Sequence, residues 1–153
     1  MIIAFGADHA GFEMKEFLRN NLEGVGIETA DMGTYSQEPV DYPDLAQKVG
    51  EFISLNDADF GILVCGTGIG MCISANKVKG IRAALCLTPE FAELARRHNN
   101  ANILCLPGRF METGQALDIA KKFISTGFDG DLPDGARHRK RVEKIAVIEG
   151  ENY

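Results

Sequence analysis

The sequence predicts an α/β fold: a three-layer, doubly wound sandwich with a five-stranded parallel sheet, Rossmann-like in its organisation. Two observations lead to this prediction. Short apolar runs typical of buried strands alternate with segments whose apolar residues recur at helical spacing. The chain also contains no linker or low-complexity tract, and 45% of its 153 residues are hydrophobic. Repeated β–α units of this length give one parallel sheet covered by helices, so residues 1–153 are predicted to form a single domain.

The five predicted strands are short apolar runs between helical segments. They are residues 2–5, 27–31, 60–64, 82–86 and 103–106. Three of these strands are followed by loops that carry polar residues or glycine, and those loops are the ones that matter for function.

The helices are recognised from apolar residues that recur at helical spacing. These are Met14, Phe17, Leu18 and Leu22 in the first helix, Leu45, Val49, Phe52 and Ile53 in the second, Phe91, Leu94, Ala95 and His98 in the fourth, and Ala116, Ile119, Ala120, Phe123 and Ile124 in the fifth. The third helix is predicted over residues 71–77. A final helix is predicted over about residues 134–149, with Val142, Ile145 and Ala146 facing inward.

A thiol lies where the third predicted strand ends. Residues 60–71 read F-G-I-L-V-C-G-T-G-I-G-M, so Cys65 is followed by Gly66, Gly68 and Gly70. Glycine lets a ligand approach the backbone closely, and the N–H groups of such a loop, together with the next helix N-terminus, bind anions and lower the pKa of a thiol. The loop therefore predicts a reactive cysteine beside an oxyanion hole. The alternative is an inert buried thiol, as most cysteines after core strands are.

Three familiar glycine-loop chemistries are excluded by the residues after Cys65. The phosphate-binding loop of NTPases requires a lysine after its last glycine, and no lysine follows Gly70. Met71 stands where a dinucleotide-binding fingerprint needs its third glycine. Met71 also replaces the arginine that a cysteine phosphatase of the C-x5-R kind needs to hold the transferring phosphate.

A second polar loop follows the first strand, where the sequence reads G-A-D-H-A-G. Ligands of doubly wound sheets bind beyond the carboxyl ends of the strands, at the point where the chain connections diverge. If strands one and three are neighbours, as in a flavodoxin-like order, then Asp8 and His9 face Cys65 across one crevice. The alternatives are a helix N-cap for Asp8 and a solvated loop histidine for His9.

His98 has two interpretations. It shares a helical face with Phe91, Leu94 and Ala95, which is typical of a core histidine bonded to the backbone. However, it is followed by Asn99 and lies at a helix end, just before strand five. A histidine in that position can act as a general acid near neutral pH.

Positive charge is concentrated near the carboxyl end of the chain. Five of the 16 lysines and arginines lie between residues 137 and 144. Arg137 and Arg141 are four residues apart, so their guanidinium groups share a helix face and can grip one phosphate. A solvated basic face is the alternative. Arg109, at the end of strand five, is a further candidate phosphate ligand.

Composition excludes several broad classes. The formal net charge of −6 argues against a general nucleic-acid or acidic-membrane binder. No apolar run approaches the roughly 20 residues of a membrane helix, and the first residues lack a signal-peptide pattern. None of the four cysteines forms a C-x-x-C pair, so neither a zinc site nor a disulfide framework is indicated, and a cytoplasmic location is expected.

Taken in order, the motifs resemble those of the type B ribose-5-phosphate isomerases, a family that includes the galactose-6-phosphate isomerase subunits. The shared motifs are G-A-D-H-A-G, D-Y-P at 41–43, C-G-T-G-I-G, A-N-K at 75–77, G-I-R-A-A, H-N at 98–99 and R-H-x-x-R at 137–141. They cover nearly the whole chain at matching spacing. Together they are highly specific, although none is so individually.

The resemblance implies an aldose–ketose isomerase that interconverts ribose 5-phosphate and ribulose 5-phosphate through a cis-enediolate, with no metal or organic cofactor. It implies that Cys65 is the base, since the loop lacks the glutamate that some relatives use. It implies that His98 opens the sugar ring with help from Asp8, and that Thr67 donates a further hydrogen bond.

The remaining residues implied by the resemblance bind substrate and phosphate. They are Asp8, His9, Gly66, Thr67, Gly68, Ile69, Gly70, Asn99, Arg109, Arg137 and Arg141. Family members form dimers whose sites combine two subunits, so the implied partner is a second copy of the chain, as a homodimer or a dimer of dimers. The C-terminal helix would then complete a site in the neighbouring subunit. Two alternatives stay open: an isomerase of a six-carbon substrate such as allose 6-phosphate or galactose 6-phosphate, and a non-catalytic sugar-phosphate-binding module.

Overall fold

A computed structural model describes residues 1–151 and contains a five-stranded sheet between layers of helices. The strands are Ile2–Ala7 (β1), Glu28–Asp31 (β2), Phe60–Cys65 (β3), Ala83–Leu85 (β4) and Ile103–Pro107 (β5). The α-helices of this region are Phe12–Glu23 (α1), Tyr42–Ser54 (α2), Ile69–Ala75 (α3), Pro89–Asn99 (α4), Thr113–Ser125 (α5) and Ala136–Glu151 (α6). Two short 3₁₀ turns, Asp129–Asp131 and Pro133–Gly135, precede α6. Within residues 1–151, every helix is too short or too polar to cross a bilayer.

The sheet is parallel throughout, in the order β2-β1-β3-β5-β4. The predicted five-stranded parallel sheet is confirmed, and β1 and β3 are neighbours, which is the condition under which Asp8 and His9 were expected to face Cys65. The other half departs from a flavodoxin-like order because β5 lies inside the sheet and β4 at its edge. The burial of the two strands matches these positions: every residue of β5 is buried, whereas the residues of β4 are only half-buried.

Each face of the sheet carries its own core. Helices α1, α4 and α5 cover one face, and α2 and α3 cover the other. Alternate strand residues point to opposite faces. Phe5 and Val64 therefore pack under α1, α4 and α5, while Leu63 and Cys65 pack under α2 and α3. The Cys65 side chain thus lies on the same face as the helix that follows its own loop.

The predicted buried face of α4 is wrong at Phe91 and Leu94, which are 63% and 45% exposed. Ala95 is buried as predicted, together with Ala92 and Arg96. Arg96 can be buried because its guanidinium donates to the carbonyl oxygens of Thr126 and Ala101, at 3.1 and 2.6 Å, and lies over aromatic rings. The buried face of α4 therefore includes a charged residue that the spacing of apolar residues did not predict.

The predicted inward face of α6 is also wrong at two of its three positions. Val142 is half-buried, but Ile145 is 44% exposed and Ala146 is exposed. The helix docks through its first turns, where His138 is buried against α4 and the first 3₁₀ turn. Its later apolar side chains Ile145, Val147 and Ile148 are 44%, 59% and 58% exposed.

Candidate active site

The loops after β1, β3 and β5 meet at the carboxyl edge of the sheet. Strand register places Ala7 beside Val64 and Cys65 beside Pro107, so the three strands end at the same level. A Cβ added to Gly11 would collide with the Val64 carbonyl, so only glycine allows the first loop to pack this closely onto the end of β3. The three loops are in contact, since Asp8 N–H donates to the Val64 carbonyl and Gly108 N–H donates to the Cys65 carbonyl.

Cys65 is the last residue of β3 and is 4% exposed. Its Sγ accepts a hydrogen bond from the backbone N–H of Gly68 at 3.2 Å. Gly68 has φ +73, and a Cβ there would lie 2.9 Å from the backbone of Leu106, so the turn requires glycine. The loop thus curls back over the sulfur with an amide pointing at it.

Arg109 lies over the same loop. Its backbone N–H donates to the Gly66 carbonyl at 3.1 Å, and a Cβ added to Gly66 would lie 3.4 Å from the Arg109 side chain. Thr67 is exposed, and its hydroxyl accepts the N–H of Ile69 at 3.3 Å. Ile69, itself 52% exposed, begins α3 two residues before the predicted helix start. The structure therefore brings Arg109 together with the predicted loop residues.

Asp8 and His9 lie at the same edge, as the predicted strand order requires. Asp8 is 7% exposed, and its Oδ1 accepts the N–H groups of Ala10 and Gly11 at 2.9 and 3.0 Å. This carboxylate closes the loop ahead of α1, whose N-cap residue is Gly11, so Asp8 is not itself the N-cap. His9 is half-buried, and its Nδ1 has no hydrogen-bond partner among the described residues.

His9 also lines a cavity of about 310 Å³ between the starts of α1 and α5. Glu13, Gln37 and Glu112 contribute to the walls of this cavity. A solvated loop histidine would be open to water, whereas this one is held between two loops. His9 is therefore half-buried beside a cavity and not fully solvated.

Tyr42 contacts the glycine loop, a role that the sequence did not define. It is the first residue of α2 and is 40% exposed. A Cβ added to Gly70 would lie 2.7 Å from the Tyr42 ring, so the ring covers this glycine directly. The D-Y-P motif at 41–43 is the sequence signal for a loop near the site.

The other predicted site residues form a second group around the end of α4. His98 and Asn99 are in its last turn, and Arg137 and Arg141 are exposed on α6. His98 is half-buried, and its ring stacks on that of His138 with centroids 4.3 Å apart and planes 8° apart. His98 is therefore not the core histidine of the first interpretation.

The two groups lie at opposite ends of the parallel strands, one at the carboxyl ends and the other at the amino ends. Cys65 pairs with Pro107, the last residue of β5, whereas α4 ends just before Ile103, the first residue of β5. Successive strand residues rise about 3.3 Å, so the two ends of β5 are about 13 Å apart. A single chain therefore does not bring His98 to Cys65.

His138 connects the second group and was not singled out from the sequence. It is 5% exposed, and its Nε2 accepts the Nε–H of Arg137 at 3.1 Å. Burial lowers the pKa of His138, and the neighbouring His98 and Arg137 lower it further. The histidine inside the R-H-x-x-R motif was the available signal, but its spacing alone does not reveal the stack.

Asp129 closes the second group on the side of α4. It accepts hydrogen bonds from Arg97 Nε at 3.1 and 3.2 Å, and these bonds lower the pKa of the carboxyl group. Ligand atoms of His98, Asp129 and His138 lie within 4.8 Å of one another. However, imidazole lone pairs lie in the ring plane, so two nearly parallel rings do not aim at one ion. Both carboxylate oxygens are also engaged by Arg97, so this cluster is a histidine–arginine network and not a fitting cation site.

These features describe an α/β protein with a thiol-bearing glycine loop at the point where its strand connections diverge, the class of fold that binds small ligands at this edge. A family model described as Ribose/Galactose Isomerase matches residues 3–145. The chain belongs to the ribose/galactose isomerase family, and the predicted family and enzyme class are confirmed.

Three relatives illustrate the similarity. The chain is 42% identical to ribose-5-phosphate isomerase B of Escherichia coli, over 96% of this chain and 95% of the relative. A crystal structure of a ribose 5-phosphate isomerase from Thermotoga maritima is 57% identical with a TM-score of 0.90, covering 95% of this chain and 97% of that one. Ribose-5-phosphate isomerase B of Mycoplasma genitalium, solved with bound ribulose-5-phosphate, is 39% identical with a TM-score of 0.89, covering 98% and 97%.

Proposed function

We propose that the protein interconverts ribose 5-phosphate and ribulose 5-phosphate through a cis-enediolate, with Cys65 as the base. The observation that carries this proposal is the Cys65 sulfur at the end of β3, under a loop whose Gly68 amide donates to it at 3.2 Å. The relative from Mycoplasma genitalium that was solved with ribulose-5-phosphate supports the choice of substrate. No metal or organic cofactor is needed for this chemistry.

Proton transfer is assigned to the Cys65 loop. The Cys65 thiolate removes the C2 proton of the open-chain aldose and returns a proton to C1, while the hydroxyl proton on the C2 oxygen passes to the C1 oxygen, so no proton is lost overall. The intermediate carries negative charge on oxygen, and backbone N–H groups of residues 66–70 are suited to stabilise it because they are already oriented. The exposed hydroxyl of Thr67 supplies a further donor to the same oxygen.

Ring opening is assigned to His98 and Asp8. His98 donates a proton to the ring oxygen of the furanose, while Asp8 accepts a proton from the anomeric hydroxyl. Only Oδ1 of Asp8 is engaged by the loop amides, which leaves Oδ2 for this contact. His9, Asn99, Arg109, Arg137 and Arg141 are assigned to binding the sugar hydroxyls and the phosphate.

On this proposal the active form is a homodimer, or a dimer of dimers, in which the second group of one subunit faces the Cys65 loop of the other. The separation of His98 from Cys65 within one chain supports it, because both must contact one sugar. The basic C-terminal helix, about residues 134–149, then completes the site of the neighbouring subunit. Exposed apolar side chains on α4 and α6, including Phe91 and Ile145, supply surface for such an interface.

The substrate assignment is tested by incubating the purified protein with ribose 5-phosphate and following the appearance of ketose by absorbance. Allose 6-phosphate and galactose 6-phosphate are assayed in parallel. We expect the highest kcat/KM for ribose 5-phosphate and unchanged activity in EDTA. A higher kcat/KM for a six-carbon substrate would overturn the substrate assignment. Binding without turnover of any of the three would indicate a non-catalytic module.

A further inference from the structure

His138 is the most buried polar side chain of the second group, yet it contacts no proposed reacting atom. It lies in the first turn of α6, is 5% exposed, and has its ring flat against that of His98. On its other side, Nε2 accepts the Nε–H of Arg137. One side chain thus contacts both the proposed ring-opening acid and a proposed phosphate ligand.

The bond to Arg137 fixes the protonation state of His138. A guanidinium keeps its protons at any pH at which the protein is folded, so its Nε can only donate. His138 Nε2 must therefore present a lone pair, which makes the imidazole neutral with its proton on Nδ1. The groups facing it agree with this state: His98 from α4 and Arg137 and Arg141 from α6 disfavour a positive charge, and Asp129 alone favours one.

The second nitrogen of His138 indicates that the residue is not there for packing alone. Nδ1 is buried and has no hydrogen-bond partner among the described residues. Buried polar atoms are nearly always bonded, and a side chain selected only to fill space would avoid this cost. The ring stack and the bond to Arg137 are what His138 supplies in return.

The contact with Arg137 prepares that side chain for binding an anion. Nε is held by His138, while the two terminal nitrogens of Arg137 bond no other residue within 1–151. An exposed arginine otherwise samples many rotamers and loses that freedom when it binds. Anchoring Nε leaves the planar pair of terminal nitrogens, which suits a phosphate.

We propose that His138 is a positioning residue for two steps, the opening of the sugar ring by His98 and the binding of the phosphate by Arg137. Its flat stack fixes the plane of the His98 ring for ring opening, and its Nε2 holds the Arg137 guanidinium for the substrate phosphate. This inference rests on the proposed function, because both of its targets are roles assigned there.

Two substitutions separate the two contacts. His138→Phe keeps a flat ring against His98 but removes the acceptor for Arg137. We expect it to raise KM for ribose 5-phosphate by about 3–10-fold with kcat within about two-fold. His138→Gln keeps an acceptor near the position of Nε2 but removes the ring. We expect it to lower kcat by about 10-fold with KM within about two-fold.

A double mutant excludes a merely structural effect. In an Arg137→Ala background, His138→Phe should leave KM unchanged, because the contact that it removes is already gone. Circular dichroism melts of all variants are recorded beside the kinetics. The inference would be overturned if the Phe and Gln variants showed the same fall in kcat and the same rise in KM. It would also be overturned if neither variant changed kcat or KM.

Binding of inorganic phosphate keeps this test separate from the substrate assignment. If the wild-type protein does not isomerise ribose 5-phosphate, the proposed function fails, and calorimetry with phosphate still decides the role of His138. The Phe variant should then bind phosphate about 3–10-fold more weakly than wild type, and the Gln variant should match wild type. Equal affinities for wild type and the Phe variant would overturn the inference by themselves.

Discussion

The backbone N–H of Gly68 donates a hydrogen bond to the sulfur of Cys65 at 3.2 Å. The two residues are only three apart, and the left-handed conformation of Gly68 turns the chain back so that the bond can form. Thr67, between Gly66 and Gly68, is exposed, and its hydroxyl accepts the N–H of Ile69 at 3.3 Å. A strand end and one glycine therefore hold the thiol against a backbone amide.

Cys65→Ala should abolish isomerisation while leaving the fold and substrate affinity nearly unchanged. Removing the base from a proton-transfer step lowers kcat, here by about 10²–10⁴-fold or more. The measurement is steady-state kinetics with ribose 5-phosphate, together with a thermal melt. Activity within a few-fold of wild type would remove Cys65 from the mechanism.

Chemical modification of Cys65 needs a background that lacks Cys72. The pKa of Cys72 is lowered to about 7, mainly by a hydrogen bond from the Cys105 thiol, so Cys72 is a second site for alkylation. In a Cys72→Ala protein, iodoacetamide should still inactivate, and substrate should protect. The matched control is Cys86, whose thiol pKa is raised to about 12 by burial and which should stay unlabelled.

Gly68→Ala should cost both stability and activity. The residue has φ +73, and the added Cβ would meet Leu85 and the backbone of Leu106. A left-handed, crowded position of this kind costs of order 1–3 kcal/mol when it is substituted. The measurement is the free energy of unfolding in urea, paired with kcat.

Gly114→Ala is the control for that substitution. Gly114 lies in the first turn of α5, and a Cβ there meets no atom within 4 Å. Alanine should stabilise this position by about 0.4–1 kcal/mol and leave kcat unchanged. If both substitutions shift stability equally, the turn at Gly68 does not depend on its backbone conformation.

Replacing Arg137 or Arg141 with alanine should raise KM strongly. A hydrogen bond to a charged group contributes roughly 1.5–3 kcal/mol, which is about 10–150-fold in affinity. Lysine at either position should rescue only partly, since it keeps the charge but loses the planar fork. The measurement is KM for ribose 5-phosphate in each variant.

The structure decides which neighbour is the right control for these arginines. Arg139 donates to the Gly130 carbonyl at 3.0 Å and pairs with Asp131 at 2.7 Å, so its removal would loosen the start of α6. Lys140 is exposed and serves better. Lys140→Ala should change KM by less than about two-fold. An equal rise in KM for Lys140→Ala would mean that the effect is one of general charge.

Stability should fall as the solution is acidified below the ordinary pKa of histidine, and His138 should account for part of the loss. Because the folded-state pKa of His138 is lowered from 6.5, the unfolded chain binds its proton first. Between the folded-state pKa and 6.5, the free energy of unfolding therefore rises with pH. The contribution of His138 to stability is lost as the pH falls through that range.

Urea unfolding of the wild-type protein and of His138→Phe, at about pH 7.5 and about pH 5.5, measures this contribution. The variant should lose less stability between the two pH values than wild type does. A loss of the same size in both proteins would show that His138 does not titrate in this window.

The apolar periods and turn residues were enough to predict the layers of the fold and the first half of the site. Runs such as Ile62-Leu63-Val64 have few alternatives to a buried strand, but the pairing of β1 with β3 was a condition of the argument, because right-handed connections also allow other strand orders. On that condition Cys65, Asp8 and His9 were placed at one edge, and the observed order meets it. The order of β4 and β5 could not be predicted, because two short apolar runs predict strands without showing which of them takes the edge position.

The second half of the site depended on contacts that a sequence pattern does not encode. Arg96 takes a buried position on α4 because its guanidinium donates hydrogen bonds to the nearby carbonyl of Ala101 and the distant carbonyl of Thr126. Phe91 and Leu94 point outward instead. The stack of His98 on His138 likewise joins residues 40 apart in the chain. Periodicity reports on one helix at a time, so neither arrangement could be predicted.

The most direct test of the account is a hybrid of two inactive subunits. One subunit carries Cys65→Ala and the other carries His98→Asn with Arg141→Ala, and differently tagged copies are co-expressed so that the mixed dimer can be isolated. If the two groups meet across an interface, each mixed dimer holds one wild-type site and one site with all three changes. Its kcat/KM for ribose 5-phosphate should then be about half that of the wild-type dimer. A mixed dimer no more active than the mean of its two parent homodimers would contradict a shared site.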